Sequence, residues 1–392
     1  MSQIKTPVKG MCDFTPEDMV LRNYVTDKIK SVYGKFGFTQ IETPAVEHIE
    51  NLTGNHGGEN EKLIFKILKR GEKLKESQDI ATACDCGLRY DLTLPLSRFY
   101  ANNADKLYSP FKAFQIGNVW RADRPQKGRF RQFCQCDIDI LGDDSILAET
   151  ELITATATLL RELGFKNFTV RINDRAILKE MAAQSGISEG DTAGAFISLD
   201  KLDKIGEEGV KAELIAQGIS RQAAENFLKN NKNAKPSQNI IDIQNNVKAA
   251  GCEGFKIEFD PTLVRGMGYY TGTIFEITME ELGLSVAGGG RYDEMIGSFS
   301  GANTPACGFS IGFERIITIL KDRGFKVPSS DEKIAFLIDK KAENDKISQA
   351  LSAAAKLRAE GKTVMVTKKN KNSKFQKENL AAIGYTEFKE IY

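Results

Sequence analysis

The chain has 392 residues, of which 41% are hydrophobic and 27% are charged, so it is long enough for two or three globular domains and is not disordered. Its formal net charge of +1 excludes a uniformly basic chain of the kind that coats nucleic acid. The balance is uneven, because residues 333–392 hold 13 Lys or Arg against 7 Asp or Glu, which places any basic partner surface at the C-terminal end.

Two classes of protein are disfavoured by what the chain lacks. The first residues have no apolar signal region, and no run approaches the roughly 18 apolar residues needed to span a bilayer, so we expect a soluble, cytoplasmic protein with no membrane partner. Seven scattered Cys do not form a disulfide framework. The pairs Cys84/Cys86 and Cys134/Cys136 lack the C-x2-C spacing of zinc sites and only two His exist, so no metal site is predicted.

The first predicted element is a long helix. Thr15 is a good N-cap, and Pro16 suits the first helical position. Apolar residues then recur at helical spacing until Gly37, namely Leu21, Val25, Ile29, Val32 and Phe36. A short strand follows at residues 38–44, and its terminal Pro44 restricts it to the edge or end of a sheet.

Strand-like runs cluster at residues 108–141, 166–172 and 256–279. Strand mostly follows strand without regular alternation with helices, which favours an antiparallel sheet flanked by helices, an α+β fold. Between residues 175 and 250 the composition becomes rich in Lys, Glu and Ala, which predicts a helical insertion.

The segment RADRPQKGRFRQFCQCDIDI, residues 121–140, predicts two antiparallel strands joined by a loop at residues 125–128. Side chains two apart share a face of a strand, so one face carries Arg129, Arg131, Phe133, Gln135, Asp137 and Asp139. That face suits a polyphosphate near the arginines, a flat ring on Phe133 and a small polar molecule beside Gln135 and Asp139, with Arg121 and Asp123 joining from the incoming strand. The alternative is a surface hairpin with weak ion pairs.

Two further segments are dense in polar residues. In LRYDLTLP, Asp91 and Thr93 lie on one side. In LVRGMGYYTGTIFE, Arg265 stands between an apolar pair and two glycines, where a solvated role is awkward, and adjacent Tyr269 and Tyr270 should point to opposite faces of a strand. Tyrosine in a strand can equally serve packing alone.

The remaining segments complete the predicted organisation. GGGRYD, residues 288–293, predicts either a turn before a helix or a close approach of backbone to a ligand, and TPACGFSIGFERI predicts a strand passing into a helix with Arg315 at the junction, where it can also be simply solvated. Residues 326–332 form the best linker. Beyond it, KIAFLID, TVMVTK and YTEFKEIY alternate with two helices, the first bearing Ile347, Leu351, Ala354 and Leu357, in a small α/β domain.

Taken together, these segments resemble the class II aminoacyl-tRNA synthetases, and more narrowly the histidyl-tRNA synthetase family. GFTQIETPAVE, the hairpin at 121–140 and GFSIGFERI are similar to the three motifs of the class. LVRGMGYYTGTIFE, LRYDLTLP, GGGRYD and the insertion segment LDKLDKIG are similar to the histidine-specific segments. The resemblance covers nearly all of residues 1–325.

The resemblance implies a homodimeric enzyme with a catalytic domain at 1–325, its helical insertion at about 174–253, and a shortened anticodon-binding-like domain at 331–392. Histidine and ATP, with Mg2+, would form histidyl-adenylate and pyrophosphate, and the histidyl group would then pass to tRNA(His). Arg121, Asp123, Arg129, Phe133 and Arg315 would hold ATP; Asp91, Thr93, Gln135, Asp139, Arg265, Tyr269 and Tyr270 would hold histidine; Arg121 and Arg265 would be catalytic.

Two departures from the family keep other functions open. The family usually has Asp before the tyrosine pair, where this chain has Gly268, and the C-terminal segment is shorter than the family's anticodon-binding domain. The alternatives are a non-aminoacylating regulatory subunit of histidine biosynthesis that binds histidine, and an adenylate-forming enzyme that passes histidine to another acceptor. The phosphate-binding arginines favour the ligase over a histidine sensor.

Overall fold

The computed structural model describes residues 3–54, 58–77, 79, 82–126, 128–251, 253–264, 268–279, 284–328 and 332–392. The chain divides into two compact units, one of Met1–Cys12 with Lys28–Ile319 and one of Asp13–Asp27 with Leu320–Tyr392. The domain boundaries expected from the sequence stay a prediction, and the middle of the predicted linker, residues 329–331, lies outside the described residues. No helix in the described ranges is long and apolar enough to cross a membrane.

Short strands and helices alternate irregularly along the chain. The strands are β1 (Thr39–Gln40), β2 (Val46–His48), β3 (Lys66–Leu68), β4 (Cys84–Leu88), β5 (Phe111–Trp120), β6 (Gln132–Leu141), β7 (Phe168–Asp174), β8 (Phe255–Phe259), β9 (Thr273–Met279), β10 (Leu284–Arg291), β11 (Ala306–Gly312), β12 (Lys333–Ile338), β13 (Thr363–Lys368) and β14 (Tyr385–Ile391). The helices are α1 (Pro16–Lys35), α2 (Ile49–Thr53), α3 (Glu72–Lys75), α4 (Thr93–Asn103), α5 (Leu147–Glu162), α6 (Arg175–Gln184), α7 (Glu189–Leu199), α8 (Leu202–Ala216), α9 (Arg221–Asn233), α10 (Gln238–Ala249), α11 (Gly297–Ser300), α12 (Phe313–Asp322), α13 (Asn344–Ala359) and α14 (Ser373–Ala382).

The first unit is built on a large sheet in the order β1-β5-β6-β11-β10-β9-β7-β8. Its interior pairs are antiparallel, whereas β1 with β5 and β7 with β8 are parallel. Helix α5 packs against β11 and α10. The sheet is therefore mixed at its ends, and the prediction of an antiparallel sheet flanked by helices is confirmed for its interior.

The N-terminal helix begins where the sequence predicts. The Thr15 backbone N–H donates to Asp18 Oδ2 at 2.9 Å and the Asp18 backbone N–H donates to Thr15 Oγ1 at 3.3 Å, which is a reciprocal capping box. Strand β1 lies at the edge of the sheet, as predicted, but it covers only Thr39–Gln40 of the predicted residues 38–44, and Pro44 lies outside it.

The predicted insertion consists of helices α6 to α10, with a break in α8 at Gly206, whose φ is +68°. Ser188, Ser220 and Ser237 cap α7, α9 and α10 by accepting a backbone N–H on their side chains. The buried apolar residues of α6 to α9 form one cluster that also includes Ile274 of β9. The insertion is thus packed onto the strand that follows the tyrosine pair.

The second unit contains a parallel sheet in the order β13-β12-β14, with α13 packed against it. The predicted alternation of strands and helices is confirmed. Within α13 the predicted apolar face is wrong at Leu351, which is 48% exposed, whereas Ala350 and Ala354 are buried against β12 and β13. Small side chains allow the helix to approach the sheet closely.

Candidate active site

The predicted hairpin is present. β5 and β6 pair antiparallel with Val119 opposite Phe133 and Gly117 opposite Gln135, and Gln126 and Arg129 exchange two backbone hydrogen bonds at 3.1 and 2.9 Å across the loop tip. Because β6 begins only at Gln132, Arg129 lies in the loop and not on the strand as predicted.

Beside this hairpin the first unit contains a cavity of about 540 Å³. Its walls include every described residue that the sequence assigns to ATP or histidine: Asp91, Thr93, Arg121, Asp123, Arg129, Phe133, Gln135, Asp139, Tyr269, Tyr270 and Arg315. Arg265 lies outside the described residues. Segments that are far apart in the chain therefore meet around one space.

One part of the cavity is arginine-rich, and its arginines are held by protein contacts. Arg121 donates from Nε to the carbonyl oxygen of Tyr90 at 3.0 Å, and its guanidinium lies 4.2 Å from the centre of the Tyr90 ring and 5.2 Å from that of Phe133. Arg129 donates from its terminal nitrogen to Asp123 Oδ2 at 3.0 Å. These guanidiniums are oriented before any ligand binds, which lowers the entropy lost on binding an anion.

Arg315 lies on the first turn of α12 and donates to the carbonyl oxygen of Ser285 in β10. The predicted passage from strand to helix is confirmed, and the alternative that Arg315 is simply solvated is wrong, because the side chain is engaged with β10 and lines the cavity.

Another part of the cavity wall carries two buried carboxyl groups on β6, those of Asp137 and Asp139. Tyr292 donates from its hydroxyl to Asp139 Oδ1 at 2.6 Å, while Asp139 Oδ2 is buried with no hydrogen-bond partner among the described residues. Gln135 donates from Nε2 to Ser310 Oγ at 2.9 Å, and its Oε1 is likewise buried and unpartnered within the described part of the chain. These two oxygens are acceptors available to N–H donors of a ligand.

Burial controls the charge of this acid wall. Desolvation raises the pKa of Asp137 from 3.8 to about 7, partly offset by a hydrogen bond from Ser310. The pKa of Asp139 is raised well above its usual value by burial first and by the neighbouring Asp137 second. A cation or an N–H donor entering the cavity would favour the ionised forms.

The tyrosine pair departs from its prediction. Strand β9 begins at Thr273, so Tyr269 and Tyr270 precede it, and strand alternation does not apply to them. Both side chains line the cavity, with ring centroids 4.9 Å apart at an angle of 62°. The expectation that they point to opposite faces of a strand is therefore wrong, whereas their role in binding histidine stays a prediction.

Asp91 and Thr93 reach the cavity from the start of α4. Asp91 accepts the backbone N–H of Leu94 on Oδ1 at 3.1 Å, in the manner of a helix cap. Thr93 is the first residue of the helix, and its side chain hydrogen-bonds Tyr269. The two polar side chains thus share one side of the segment because a helix starts between them.

The glycine run is part of β10, so the predicted turn before a helix is wrong. A Cβ on Gly289 would lie 2.0 Å from the carbonyl oxygen of Gly308 in β11, and one on Gly308 would lie 2.0 Å from Asp139 Oδ1. These glycines let the strands and the buried carboxyl group approach closely, while Gly288 and Gly289 also line the cavity.

Comparison with known proteins identifies the family. The model of the histidyl-tRNA synthetase family matches residues 10–316. A histidine-tRNA ligase of Leifsonia xyli subsp. xyli is 42% identical, over 98% of this chain and 94% of that protein. This chain belongs to the histidyl-tRNA synthetase family.

Solved structures of similar proteins agree with the fold. The crystal structure of histidyl-tRNA synthetase from Nostoc sp. PCC 7120 superposes with a TM-score of 0.78 at 27% identity, covering 97% of this chain and 90% of that one. A structure described as an ATP phosphoribosyltransferase regulatory subunit/histidyl-tRNA synthetase from Bacillus halodurans gives a TM-score of 0.79 at 20% identity, covering 100% of this chain and 99% of that one, which shows a shared fold only.

Several cavity residues received no role from the sequence. Asp137 lies on the predicted polar face of β6, and strand alternation alone could have included it. Tyr292, Ser310 and Tyr90 carry no such signal, because their contacts join segments that are distant in the chain. Among the described residues, no group of three His, Cys, Asp or Glu side chains could hold a metal ion.

Proposed function

We propose that this protein ligates L-histidine to tRNA(His) in two steps, forming histidyl-adenylate and pyrophosphate from histidine and ATP and then transferring the histidyl group to tRNA. The observation that carries the proposal is one cavity with arginines at one part and buried acceptor oxygens at another, in a chain 42% identical to a histidine-tRNA ligase. Such a cavity can hold a polyphosphate and an amino acid side by side.

For ATP, we assign Arg121 and Arg129 to the phosphates, and Phe133 and Arg315 to the adenine ring. Arg121 contacts the α-phosphate and Arg129 the γ-phosphate, where a planar guanidinium can donate two parallel hydrogen bonds. Phe133 and Arg315 lie on either side of the adenine, and Asp123 orients Arg129. Mg2+ enters as the complex with ATP and keeps phosphate oxygens as ligands, which fits a cavity in which no group of three described His, Cys, Asp or Glu side chains could hold a metal ion by itself.

For histidine, the proposed ligands are on the other walls. Asp91, Thr93 and Gln135 accept hydrogen bonds from the α-amino group. Asp139, Tyr269 and Tyr270 contact the imidazole ring. The unpartnered Asp139 Oδ2 supports this, since a ring N–H would give it a hydrogen bond. A pocket that hydrogen-bonds a buried N–H can reject analogues lacking it by roughly 10^4 to 10^5.

Catalysis on this proposal is positioning and charge neutralisation. The histidine carboxylate attacks the α-phosphorus, the bond to the bridging oxygen of pyrophosphate breaks, and pyrophosphate leaves with the electron pair. Arg121 and Arg265 stabilise the charge that develops on the α-phosphate oxygens in the transition state. No covalent enzyme intermediate is required.

The same proposal covers the rest of the molecule. Residues 1–325 form the catalytic domain of a cytoplasmic homodimer, and residues 331–392 contact tRNA. The excess of Lys and Arg in residues 333–392 suits contact with RNA phosphates. A chain ending at Ser330 should keep adenylate formation and lose much of its tRNA charging; unchanged charging would argue against a tRNA role for this segment.

The deciding experiment measures histidine-dependent exchange of labelled pyrophosphate into ATP and then charging of total tRNA with the same preparation. The ligase gives both activities, and Arg265→Ala abolishes exchange while histidine still binds. Histidine binding without exchange or charging would replace the proposal with the regulatory subunit. Exchange without charging would indicate another acceptor.

A further inference from the structure

A short N-terminal segment contacts the loop that carries the arginines. We call residues 7–12 the N-terminal strap and residues 121–131 the hairpin loop. The strap makes a turn in which Met11 donates its backbone N–H to the carbonyl oxygen of Val8 at 2.9 Å. The carbonyl oxygen of Gly10 then accepts the backbone N–H of Arg131 at 2.7 Å, so the strap is hydrogen-bonded to the end of the hairpin loop.

At this contact only glycine fits. Gly10 has φ of +84°, which disfavours residues with a side chain. A Cβ there would lie 2.8 Å from Arg131 Cγ and 2.9 Å from Pro125 Cγ, closer than carbon atoms approach. Any larger residue would push the strap away from the hairpin loop or displace Arg131 and Pro125.

Arg131 connects this contact to the cavity. Its carbonyl oxygen accepts the backbone N–H of Arg121 at 2.9 Å, and its Nε donates to the carbonyl oxygen of Asp123 at 3.1 Å. The Asp123 carboxylate in turn holds Arg129 at 3.0 Å. Arg121, Asp123 and Arg129 line the cavity, whereas the strap and Arg131 are not among its described lining residues.

We propose that the N-terminal strap positions the arginines of the hairpin loop and that Gly10 is a positioning residue for binding of a nucleoside triphosphate. The inference rests on the proposed function and adds to it a residue outside the cavity. Its physical basis is that two guanidiniums can bind one polyphosphate bidentately only if the backbone from which they extend keeps its geometry. The atoms nearest to a Cβ on Gly10 and the partner of its carbonyl oxygen all belong to the hairpin loop, at Arg131 and Pro125.

The test compares Gly10→Ala with Gly164→Ala in pyrophosphate exchange. Gly164 is a matched control, because its φ is +86° and a Cβ there would meet no described atom within 4 Å, so both variants carry the same backbone strain. We expect Gly10→Ala to raise the KM for ATP by roughly tenfold or more and to change the KM for histidine by less than about twofold. Gly164→Ala should leave both constants near those of the natural protein.

A second variant, Arg131→Ala, tests the proposal if Gly10→Ala does not fold. Arg131→Ala removes the side chain that packs on the strap and its bond to Asp123, and it should raise the KM for ATP in the same selective way. The proposal would be overturned if both variants had the same KM for ATP as the natural protein. It would also be overturned if the KM for histidine rose as much as the KM for ATP. So would a Gly164→Ala effect as large as that of Gly10→Ala.

Failure of the proposed function gives a different result. If the natural protein shows no exchange, the ligase assignment fails, and calorimetric titration with Mg-ATP then tests the strap directly. Weaker ATP binding by Gly10→Ala than by Gly164→Ala would still support it, whereas equal binding, or no ATP binding by any of the three proteins, would refute it.

Discussion

Replacing Asp137 with asparagine should make the protein more stable at neutral and higher pH. Asp137 is 3% exposed on β6, and its carboxyl oxygens lie 3.3 and 3.4 Å from Gln135 Nε2. Its pKa is raised to about 7 by burial, so the folded protein retains a proton on it at pH values where the unfolded chain has lost that proton. Asparagine keeps the shape and an acceptor oxygen and does not titrate.

The magnitude follows from proton linkage. Below about pH 4 both folded and unfolded states hold the proton, and the carboxyl group causes no loss of stability. Between pH 4 and pH 7 only the folded state holds it, so the free energy of unfolding falls as the pH rises. A pKa raised from 3.8 to about 7 corresponds to a loss of about 4 kcal/mol, at 1.36 kcal/mol for each pKa unit.

Urea unfolding at pH 5 and pH 8 measures this difference. Trp120, the single tryptophan, lies on β5 and donates to Gln132 at 3.2 Å, so its fluorescence reports the unit that contains the site. We expect the free energy of unfolding of Asp137→Asn to exceed that of the natural protein by up to about 4 kcal/mol at pH 8 and by less at pH 5. Asp144→Asn, at an exposed position, is the control and should change neither value. Equal stability of Asp137→Asn and the natural protein at pH 8 would refute the reasoning.

Three further variants test other contacts. Tyr292→Phe removes the donor to Asp139 and should raise the KM for histidine about tenfold in pyrophosphate exchange, because a buried unpartnered oxygen costs about 1–3 kcal/mol; an equal rise in the KM for ATP would contradict this. Gly268→Asp, whose Cβ would meet no described atom within 4 Å, should fold and lower the KM for histidine by adding a carboxylate beside the tyrosine pair, and an unchanged KM would refute that role. Arg291→Met leaves buried Glu149 without its partner at 2.8 Å and should destabilise the protein by about 3–5 kcal/mol in urea unfolding; if adding Glu149→Leu restored none of that loss, the ion pair would not be its cause.

Features that depend on local spacing could be predicted from the sequence. The capping box at Thr15 needs only residues three apart, and the alternating face of β6 needs only the strand period, which places Phe133, Gln135 and Asp139 together. In each case the physical cause lies within a few residues.

Features that depend on where a helix or strand begins could not be predicted from the sequence. The sequence around Tyr269 and Tyr270 reads as strand, but Thr271 is fixed by donating its backbone N–H to the carbonyl oxygen of Arg291 at 2.8 Å, and the ladder of β9 starts only at Thr273. On α13, the apolar character of Leu351 favours it as the buried residue, whereas contact with the sheet selects Ala350. Both choices are made by packing partners elsewhere in the chain.

For Asp139 on the acid wall, the sequence predicts the position of the side chain but not its protonation state. The sequence places Asp139 on a polar face, but its environment depends on how the strands around it assemble. Gly308 leaves room for Oδ1, Tyr292 donates to that oxygen from 153 residues away, and Asp137 adds a second buried carboxyl group. These contacts leave Oδ2 as the acceptor available in the cavity. Burial first and Asp137 second raise the pKa of Asp139 against the opposing effect of the Tyr292 hydrogen bond, which favours a protonated carboxyl group until a cationic or N–H-bearing ligand binds. The acceptor oxygen that the cavity offers to a ligand with N–H donors is therefore a property of the assembled sheet, which no single segment of the sequence encodes.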